Sequence, residues 1–289
     1  MPPAVSVVIP TCARPRLLER CLAALERQTL PREQVEVIVV DDGAMRSGPA
    51  AARNRGWRHA RAPVVAFTDD DTEPHPRWLE EGLKPFVDGA VHAVSGRIVM
   101  PLEGTPTDYE RDAQGLERAE FVTANCLVRR EVLERLGGFD EAFRVPWRED
   151  SDLHFRLLEG GFRVARAPDA VVVHPVRPAP WGESLRQQKK VLFDALLYRK
   201  HRHLYRERIR AAPRWDYYAI TGSLLLAPLL PMLWVPWGIL TGRFMLQRLK
   251  GVSRAPRHVL EMLVTSIAIP PLAVFWRVVG ALRFRVVFI

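Results

Sequence analysis

Over the first 183 residues, short β-branched and aliphatic runs alternate with helix-period segments, at residues 5–10, 17–25, 35–40, 50–60 and 64–68. That order predicts β-α-β-α-β, which right-handed crossovers turn into a parallel sheet covered by helices on both faces. A further strand-like run spans residues 90–99, and the polar, Gly/Pro-containing stretch 101–115 predicts a mobile loop. Beyond it the pattern predicts a strand at 121–128, a helix at 130–136, a turn at Gly137-Gly138-Phe139-Asp140 and a helix at 149–159 stopped by Gly160-Gly161. A last strand, 171–173, ends at His174, and residues 177–182, with Pro178 and Pro180, predict a linker. The expected fold class is α/β, a mixed, mostly parallel sheet with helices on both faces, followed by a helical C-terminal region.

Past the linker the pattern changes character. Residues 184–210 predict a basic amphipathic helix, with Leu185, Leu192, Leu196 and Tyr205 near one face and Lys189, Lys190, Arg199, Lys200, Arg202 and Arg206 elsewhere. Residues 217–242 then carry no charge over 26 positions, longer than the roughly 20 needed to span a bilayer. A second apolar run, 262–276, is shorter and holds Pro270-Pro271. The expected domains are therefore 1–183 for catalysis, 184–214 for the interface helix and 215–289 for membrane association.

Charge sharpens this division. Residues 1–183 hold 24 Lys+Arg against 29 Asp+Glu, whereas residues 184–289 hold 18 against 4. The net of +9 is thus a property of the tail, and basic groups beside apolar runs fit an anionic lipid surface and argue against nucleic acid. In the loop after the long apolar run, Arg243, Arg248, Lys250, Arg254 and Arg257 face no acid, so a single crossing would violate the positive-inside tendency. With Pro228, Pro231 and Pro236 able to break the run, a re-entrant or interfacial hairpin with both ends cytoplasmic is expected. The alternative is a pair of soluble helices in a homo-oligomer interface. Cys12, Cys21 and Cys126 show neither disulfide nor zinc spacing, which fits a reducing compartment. The N-terminal ten residues lack the basic and long apolar stretches of a signal peptide, so the expected location is the cytoplasmic face of a membrane.

The candidate chemistry gathers at the predicted strand ends, where parallel sheets bind ligands. Thr11 follows the first strand, Asp41-Asp42-Gly43 the second and Asp69-Asp70-Asp71 the third. In extended geometry Asp69 and Asp71 share a side and Asp70 turns away, so two carboxylates suit a hard divalent cation bound with phosphate oxygens. Three adjacent acids also make a solvated turn; the strand-end position favours the site. Asp-Gly is a common turn dipeptide, and Asp42 is equally placed to accept a ring N–H of a nucleotide base. Glu149-Asp150-Ser151-Asp152 opens a helix, where acids cap and complement the dipole; the dipole also keeps a carboxylate ionised, as a general base must be. Asp150 is the expected base, with Glu149 beside it. His174 is a candidate third metal ligand, and Arg53, on a small-residue helix, is either a phosphate partner or a solvated cation.

Together these residues resemble glycosyltransferase family 2, from Val5 to about His174. The motifs are V-S-V-V-I-P-T at 5–11, V-I-V-V-D-D-G at 37–43, G-P-A-A-A-R-N at 48–54, D-D-D at 69–71, G-G-F-D-E at 137–141 and E-D-S-D-L at 149–153. The resemblance, closest to the rhamnosyltransferase-like branch, implies a GT-A fold and inverting transfer of a sugar from a nucleotide-diphosphate donor to a hydroxyl acceptor. The acceptor is expected to be lipid-linked or a cell-envelope glycan. The resemblance further implies that Thr11 and Asp42 contact the nucleotide, Asp69 the ribose or sugar and Asp71 the Mg²⁺ or Mn²⁺, with Asp150 as base; Pro10, Arg14, Arg53 and Asp70 are the other expected donor contacts, and His174 the other expected metal ligand. The pattern departs from many members at Ala44-Met45-Arg46, after the D-D-G, which alters the local nucleotide contacts. Rival readings are a sugar-nucleotide pyrophosphorylase, a glycoside hydrolase and a non-catalytic membrane-surface binder. The first is disfavoured because residues 10–16 hold no glycine, and the second needs no nucleotide.

Overall fold

A computed structural model describes residues 2–288. The chain divides into two compact units, Met1–Pro101 with Gly115–Val176, and Leu102–Gln114 with Arg177–Ile289.

The first unit is built on β1 (Val5–Thr11), α1 (Pro15–Glu26), β2 (Val35–Asp41), α2 (Pro49–His59), β3 (Val64–Phe67), β4 (Glu73–Pro74), α3 (Trp78–Leu83) and β5 (Val91–Val99). The chain then leaves for α4 (Asp108–Gln114), in the second unit, and returns for β6 (Cys126–Arg129), α5 (Arg130–Leu136), α6 (Glu149–Glu159) and β7 (Arg163–Val173). Seven strands form one sheet in the order β2-β1-β3-β6-β5-β7-β4. β1 lies parallel between β2 and β3 and is buried along its whole length, which is why its sequence is mostly apolar, with Ser6 and Thr11 as its polar positions. β6 runs antiparallel to β3 and to β5, and β7 returns parallel to β5, so the sheet is mixed.

Register places the functional ends together. Thr11 pairs with Asp41, so the first two strands end level. β3 stops at Phe67, opposite Val8, and the acidic turn that follows meets the end of β1 where the Thr11 hydroxyl donates to Asp70. The helix α2 lies close on β1, since a Cβ on Gly56 would come 2.3 Å from a Val8 methyl.

Gly138 makes a second close approach. Its φ is +73°, and an added Cβ would lie 2.3 Å from Asn54 Oδ1 and 2.4 Å from Trp57 Nε1. Asn54 fastens this turn to α2: its amide donates to the Phe139 carbonyl (2.9 Å) and its oxygen accepts the Phe139 N–H (2.8 Å). Gly138→Ala combines overpacking with backbone strain and should lower unfolding free energy by about 2–4 kcal/mol, read from urea melts.

The second unit comprises α4, α7 (Glu183–Gln187), α8 (Leu192–Lys200), α9 (Arg202–Leu204), α10 (Trp215–Leu226), α11 (Trp234–Arg248) and α12 (Pro256–Arg283). Three expectations are corrected here. The stretch 101–115 is not a plain loop: α4 is tied to the tail by Arg248, which donates to Asp108 at 2.8 and 3.1 Å, and by Arg111, which donates to the Arg248 carbonyl at 3.0 Å. The helix expected over 184–210 is broken, leaving helical geometry at His201, with a π-type turn at Tyr205–Ile209. Its middle is buried from Leu192 to Tyr198 because α12 crosses it at Gly280, where a Cβ would sit 2.7 Å from the Leu192 carbonyl. No lipid-facing stripe is left on α8; the cations Lys189, Arg199, Lys200 and Arg202 stay exposed around it.

The apolar runs also change rank. The longer one divides at Pro228 and Pro231 into α10 and α11, of 12 and 15 residues. The shorter one becomes part of α12, a 28-residue helix that continues through Pro270-Pro271. Packing against α8, α10 and α11 compensates the two backbone bonds these prolines remove. Among the described residues α12 is the one helix long and apolar enough to cross a membrane.

Candidate active site

The site starts from a tight turn after β3. The Asp69 carbonyl accepts the Thr72 N–H (3.3 Å) and the Thr72 hydroxyl (2.7 Å), while the Thr68 hydroxyl donates to the Ala124 carbonyl (3.0 Å). This turn, and not a continued strand, puts Asp69 and Asp71 on one side. A ligand atom from each of Asp69, Asp71 and His174 lies within 4.8 Å of the others. His174 arrives at the end of β7, its N–H donating to the Val99 carbonyl (2.8 Å), and its Nε2 is 3.6 Å from Asp71 Oδ1. The other ring nitrogen, Nδ1, is buried and has no hydrogen-bond partner. Two carboxylate oxygens and an imidazole nitrogen converging in this way form a donor set that fits a divalent cation.

Asp70 points the other way, into the protein. It is fully buried, accepts the Thr11 hydroxyl (2.6 Å) and pairs with Arg14 (3.1 Å), which also reaches Asp71 (3.5 Å). Burial, with Asp71 and Asp69 adjacent, pushes the Asp70 carboxyl up despite the opposing effects of Thr11 and Arg14. Thr11, Arg14 and Asp70 are therefore joined to one another, and Pro10, opposite Val40, is a buried ring with no polar side-chain group. Arg14 keeps about a third of its side chain exposed beside the acidic turn.

Asp42 is committed as well. Its carboxylate accepts the Ser47 hydroxyl (2.5 Å), the Gly48 N–H (2.9 Å) and Arg55 Nη2 (2.6 Å). Burial would raise its pKa, but these three donors outweigh it and hold it below the ordinary range. Ser47 thus closes the loop that Ala44-Met45-Arg46 leaves without a hydroxyl. The adjacent Asp41 is exposed and accepts the Gly43 N–H (2.8 Å).

Arg53 bridges the acidic turn to the start of α6. Only 2% exposed, it donates to Asp69 Oδ1 (2.6 Å) and to Glu149 Oε1 (3.1 Å). Burial pushes Asp69 up, yet Arg53, followed by His174, brings it below the ordinary range. Glu149 has its second oxygen buried without a partner; burial, with Asp150 adjacent, pushes it up to about 7 against the pull of Arg53. Asp150 is half-buried, and its Oδ1 accepts the Ser151 N–H (2.6 Å). Burial raises it too, although the Ser151 N–H and the charges of Arg148 and Arg53 oppose.

Glu149 therefore binds its proton more tightly folded than unfolded. Its stabilising contribution is complete below the unfolded value near 4.5 and is lost as pH rises through about 7. Glu149→Gln should flatten the stability profile between those limits, with an effect on the order of a few kcal/mol at pH 8. Melting curves from pH 4.5 to 8.5 check this; a variant with the wild-type pH dependence refutes it.

Sequence reasoning placed Asn54 in the 48–54 motif without reading its role, and missed Arg55 and Asn125. Asn125 is fully buried, donates to the Arg97 (2.9 Å) and Ala170 (2.8 Å) carbonyls and accepts Trp78 Nε1 (2.8 Å), so it ties β5 and β7 behind the acidic turn. A lone amide inside the apolar run 121–128 was the available signal.

The model of the family "Glycosyl transferase family 2" matches residues 6–47 and 44–137. Glycosyltransferase AglE of Haloferax volcanii is 29% identical over 224 residues, covering 65% of this chain and 72% of that one. A pre-mycofactocin glycosyltransferase of Mycobacterium tuberculosis is 33% identical over 210 residues, covering 60% of this chain; the chain spans less than half, 43%, of that relative. Among solved structures, the mannosyltransferase PcManGT of Pyrobaculum calidifontis, determined with GDP-Man and Mn²⁺, superposes with a TM-score of 0.58. The match covers 99% of this chain and 88% of that one at 21% identity, and so is a likeness of fold.

Proposed function

Starting from a chain that belongs to glycosyltransferase family 2 and carries the GT-A fold, we propose that it moves a sugar, with inversion, from a nucleoside-diphosphate donor to a hydroxyl acceptor. The observation that carries the reading is the convergence of Asp69, Asp71 and His174 beside the Arg53 bridge to α6. These three side chains would hold Mg²⁺ or Mn²⁺, the imidazole favouring Mn²⁺, and the bound ion would offset charge on the departing diphosphate. PcManGT, whose structure holds GDP-Man and Mn²⁺, is consistent with this.

The chain's own residues do the rest. Asp150 takes the proton of the acceptor hydroxyl as that oxygen bonds to the anomeric carbon. The bond from that carbon to the diphosphate oxygen breaks, and the nucleoside diphosphate leaves with the electron pair. Direct displacement by one nucleophile inverts the centre. Arg53 acts as a positioning residue, because both of its terminal nitrogens are bonded to Asp69 and Glu149. Arg14, partly exposed beside the turn, is the cation left to meet phosphate oxygens, and exposed Asp41 is better placed than Asp42 to accept a base N–H.

The acceptor is proposed to be lipid-linked or a cell-envelope glycan, met at the cytoplasmic face of a membrane. Leu225, Leu229, Met232, Val235 and Ile239 of the α10–α11 segment are exposed. At 1.5 Å per residue α10 and α11 are about 18 and 22 Å long, short of the roughly 30 Å hydrocarbon core, so neither spans. They form a hairpin in the lipid interface with both ends cytoplasmic. A single cysteine at Ser253, in a background free of native cysteines, should resist an impermeant thiol reagent on intact cells; labelling from outside rejects the hairpin.

The activity is tested on purified protein with UDP-, GDP- and dTDP-sugars and Mn²⁺. One donor class should raise the melting temperature and release nucleoside diphosphate in a metal-dependent way. Stabilisation by none of them, with no diphosphate released, rejects the transferase.

A further inference from the structure

The second unit contains a recess of about 270 Å³, just under the roughly 300 Å³ at which small-molecule sites begin, so it admits one ring and not two. Its buried floor is Phe244 and Ile269. Asp112 of α4, Gln187 of α7 and Gln188 just after it line the wall. An apolar floor and a polar wall thus meet in one cavity.

Three arginines and Asp108 also line the recess, and each is already bonded within the protein. Arg248 gives Nε and Nη2 to Asp108 and Nη1 to the Thr265 and Ser266 hydroxyls. Arg111 is bonded to Asp108 and to the Arg248 and Lys250 carbonyls. Arg214 is bonded to Asp216 and lies 3.7 Å from the centre of the Tyr217 ring. An anion would have to displace formed ion pairs, and a cation would meet three guanidiniums. Neutral ligands are left. Among the described residues the side chains of Asp112 and Gln187 have no hydrogen-bond partner. Gln188 spends its amide N–H on the Ser184 carbonyl (2.8 Å) and keeps its oxygen. The open groups are therefore a carboxylate, a whole amide and an amide oxygen, which together accept from and donate to hydroxyls. A sugar ring has the matching shape, with C–H groups on one face and hydroxyls around its edge.

Depth agrees with this occupant. Tyr217 stands near the start of α10 and Phe244 near the end of α11, whereas exposed Leu229, Met232 and Val235 lie at the bend between the two helices. From Val235 to Phe244 is about 14 Å of helix, so the recess lies far from the apolar bend. With the bend in lipid, the recess is on the water side, where the head of a glycolipid stands.

We propose that this recess binds one neutral sugar ring of the acceptor, its hydroxyls on Asp112, Gln187 and Gln188 and its C–H face on Phe244 and Ile269. The inference rests on the lipid-linked or glycan acceptor proposed above and adds to it a recognition point built from second-unit residues alone.

The test uses the full chain in a detergent without sugar groups, titrated with methyl glycosides of glucose, mannose, rhamnose and N-acetylglucosamine and read by saturation-transfer NMR. One of them should bind, and should stay bound when nucleoside diphosphate and Mn²⁺ are saturating. Asp112→Ala removes a charge-assisted hydrogen bond and should weaken that binding about tenfold, with a smaller loss in Gln187→Ala. Neither side chain supports the fold through a hydrogen bond, so the melting temperature should hold, as should the slow release of diphosphate from donor without acceptor. Binding of none of the four, or undiminished binding in both variants, overturns the site. Displacement of the glycoside by nucleoside diphosphate with Mn²⁺ assigns the signal to the donor site instead. Inorganic phosphate bound in place of any glycoside, and lost in Arg214→Gln, overturns the sugar in favour of an anion. Failure of the transferase reading would look different: a glycoside held through Asp112 by a protein that releases no diphosphate from any donor.

Discussion

Asp150→Asn is expected to keep the donor affinity of the wild-type protein and to lose about 10² to 10⁴ of the transfer rate. The amide is nearly isosteric, and it can still accept the Ser151 N–H that orients the side chain. It cannot take a proton from an acceptor hydroxyl. The same residue sets the pH dependence. Burial raises Asp150 in the folded protein, with Glu149 held protonated up to about 7 beside it. The base is therefore ionised only above the ordinary carboxylate range, and the acidic limb of the rate profile should lie above that range. Below pH 7 the neighbouring Glu149 is neutral, so Glu149→Gln should leave that limb where it is. Initial rates from pH 5 to 9, with donor affinity measured alongside, separate these effects. A wild-type rate in Asp150→Asn places the base elsewhere.

The parallel half of the sheet was legible because burial on both faces leaves β1 and β3 nearly all apolar, with Thr11 and Asp69 at or just beyond their ends, and because the edge strand β2, only partly buried, still runs through Val37-Ile38-Val39-Val40 to Asp41. The acids that meet His174 could be picked out because strand ends are the only places on such a sheet where small polar residues gather. What the linear pattern could not show was which polar groups spend themselves on one another. Thr11 and Asp70 read as ligand contacts, yet they bond at 2.6 Å across 59 residues, and Asp42 is filled by Ser47, Gly48 and Arg55. Such pairings depend on register, which hydrophobic periodicity does not encode. The tail failed for a related reason. Hydropathy sums composition over a window, so it ranked residues 217–242 above 262–276, whereas the backbone broke the first at Pro228 and Pro231 and carried the second through Pro270. A proline is tolerated wherever packing compensates the lost bond, and packing is a property of the neighbours.

Asp71→Ala should reduce metal-dependent transfer by about 10² to 10³, because an ion's contribution to charge stabilisation is several kcal/mol and each 1.36 kcal/mol is tenfold in rate. The effect should exceed that of Asp69→Asn. Asp69→Asn keeps one side-chain oxygen for the cation, whereas Asp71→Ala, at the position where the carboxylate lies against His174, leaves none. The fold should survive. The turn is closed by Thr68, Thr72 and the Asp69 carbonyl, and none of those bonds uses the Asp71 side chain. The substitution leaves Arg14 on Asp70 and Arg53 on Asp69, so the supporting ion pairs persist. Calorimetric titration of Mn²⁺ into protein saturated with nucleoside diphosphate reads the affinity directly, and the order of loss should be Asp71→Ala, then His174→Ala, then Asp69→Asn. Unchanged Mn²⁺ affinity in Asp71→Ala would falsify the ligand assignment. A wild-type rate that persists in excess chelator would remove the metal from the reaction altogether and leave Arg14 as the cation facing the departing diphosphate.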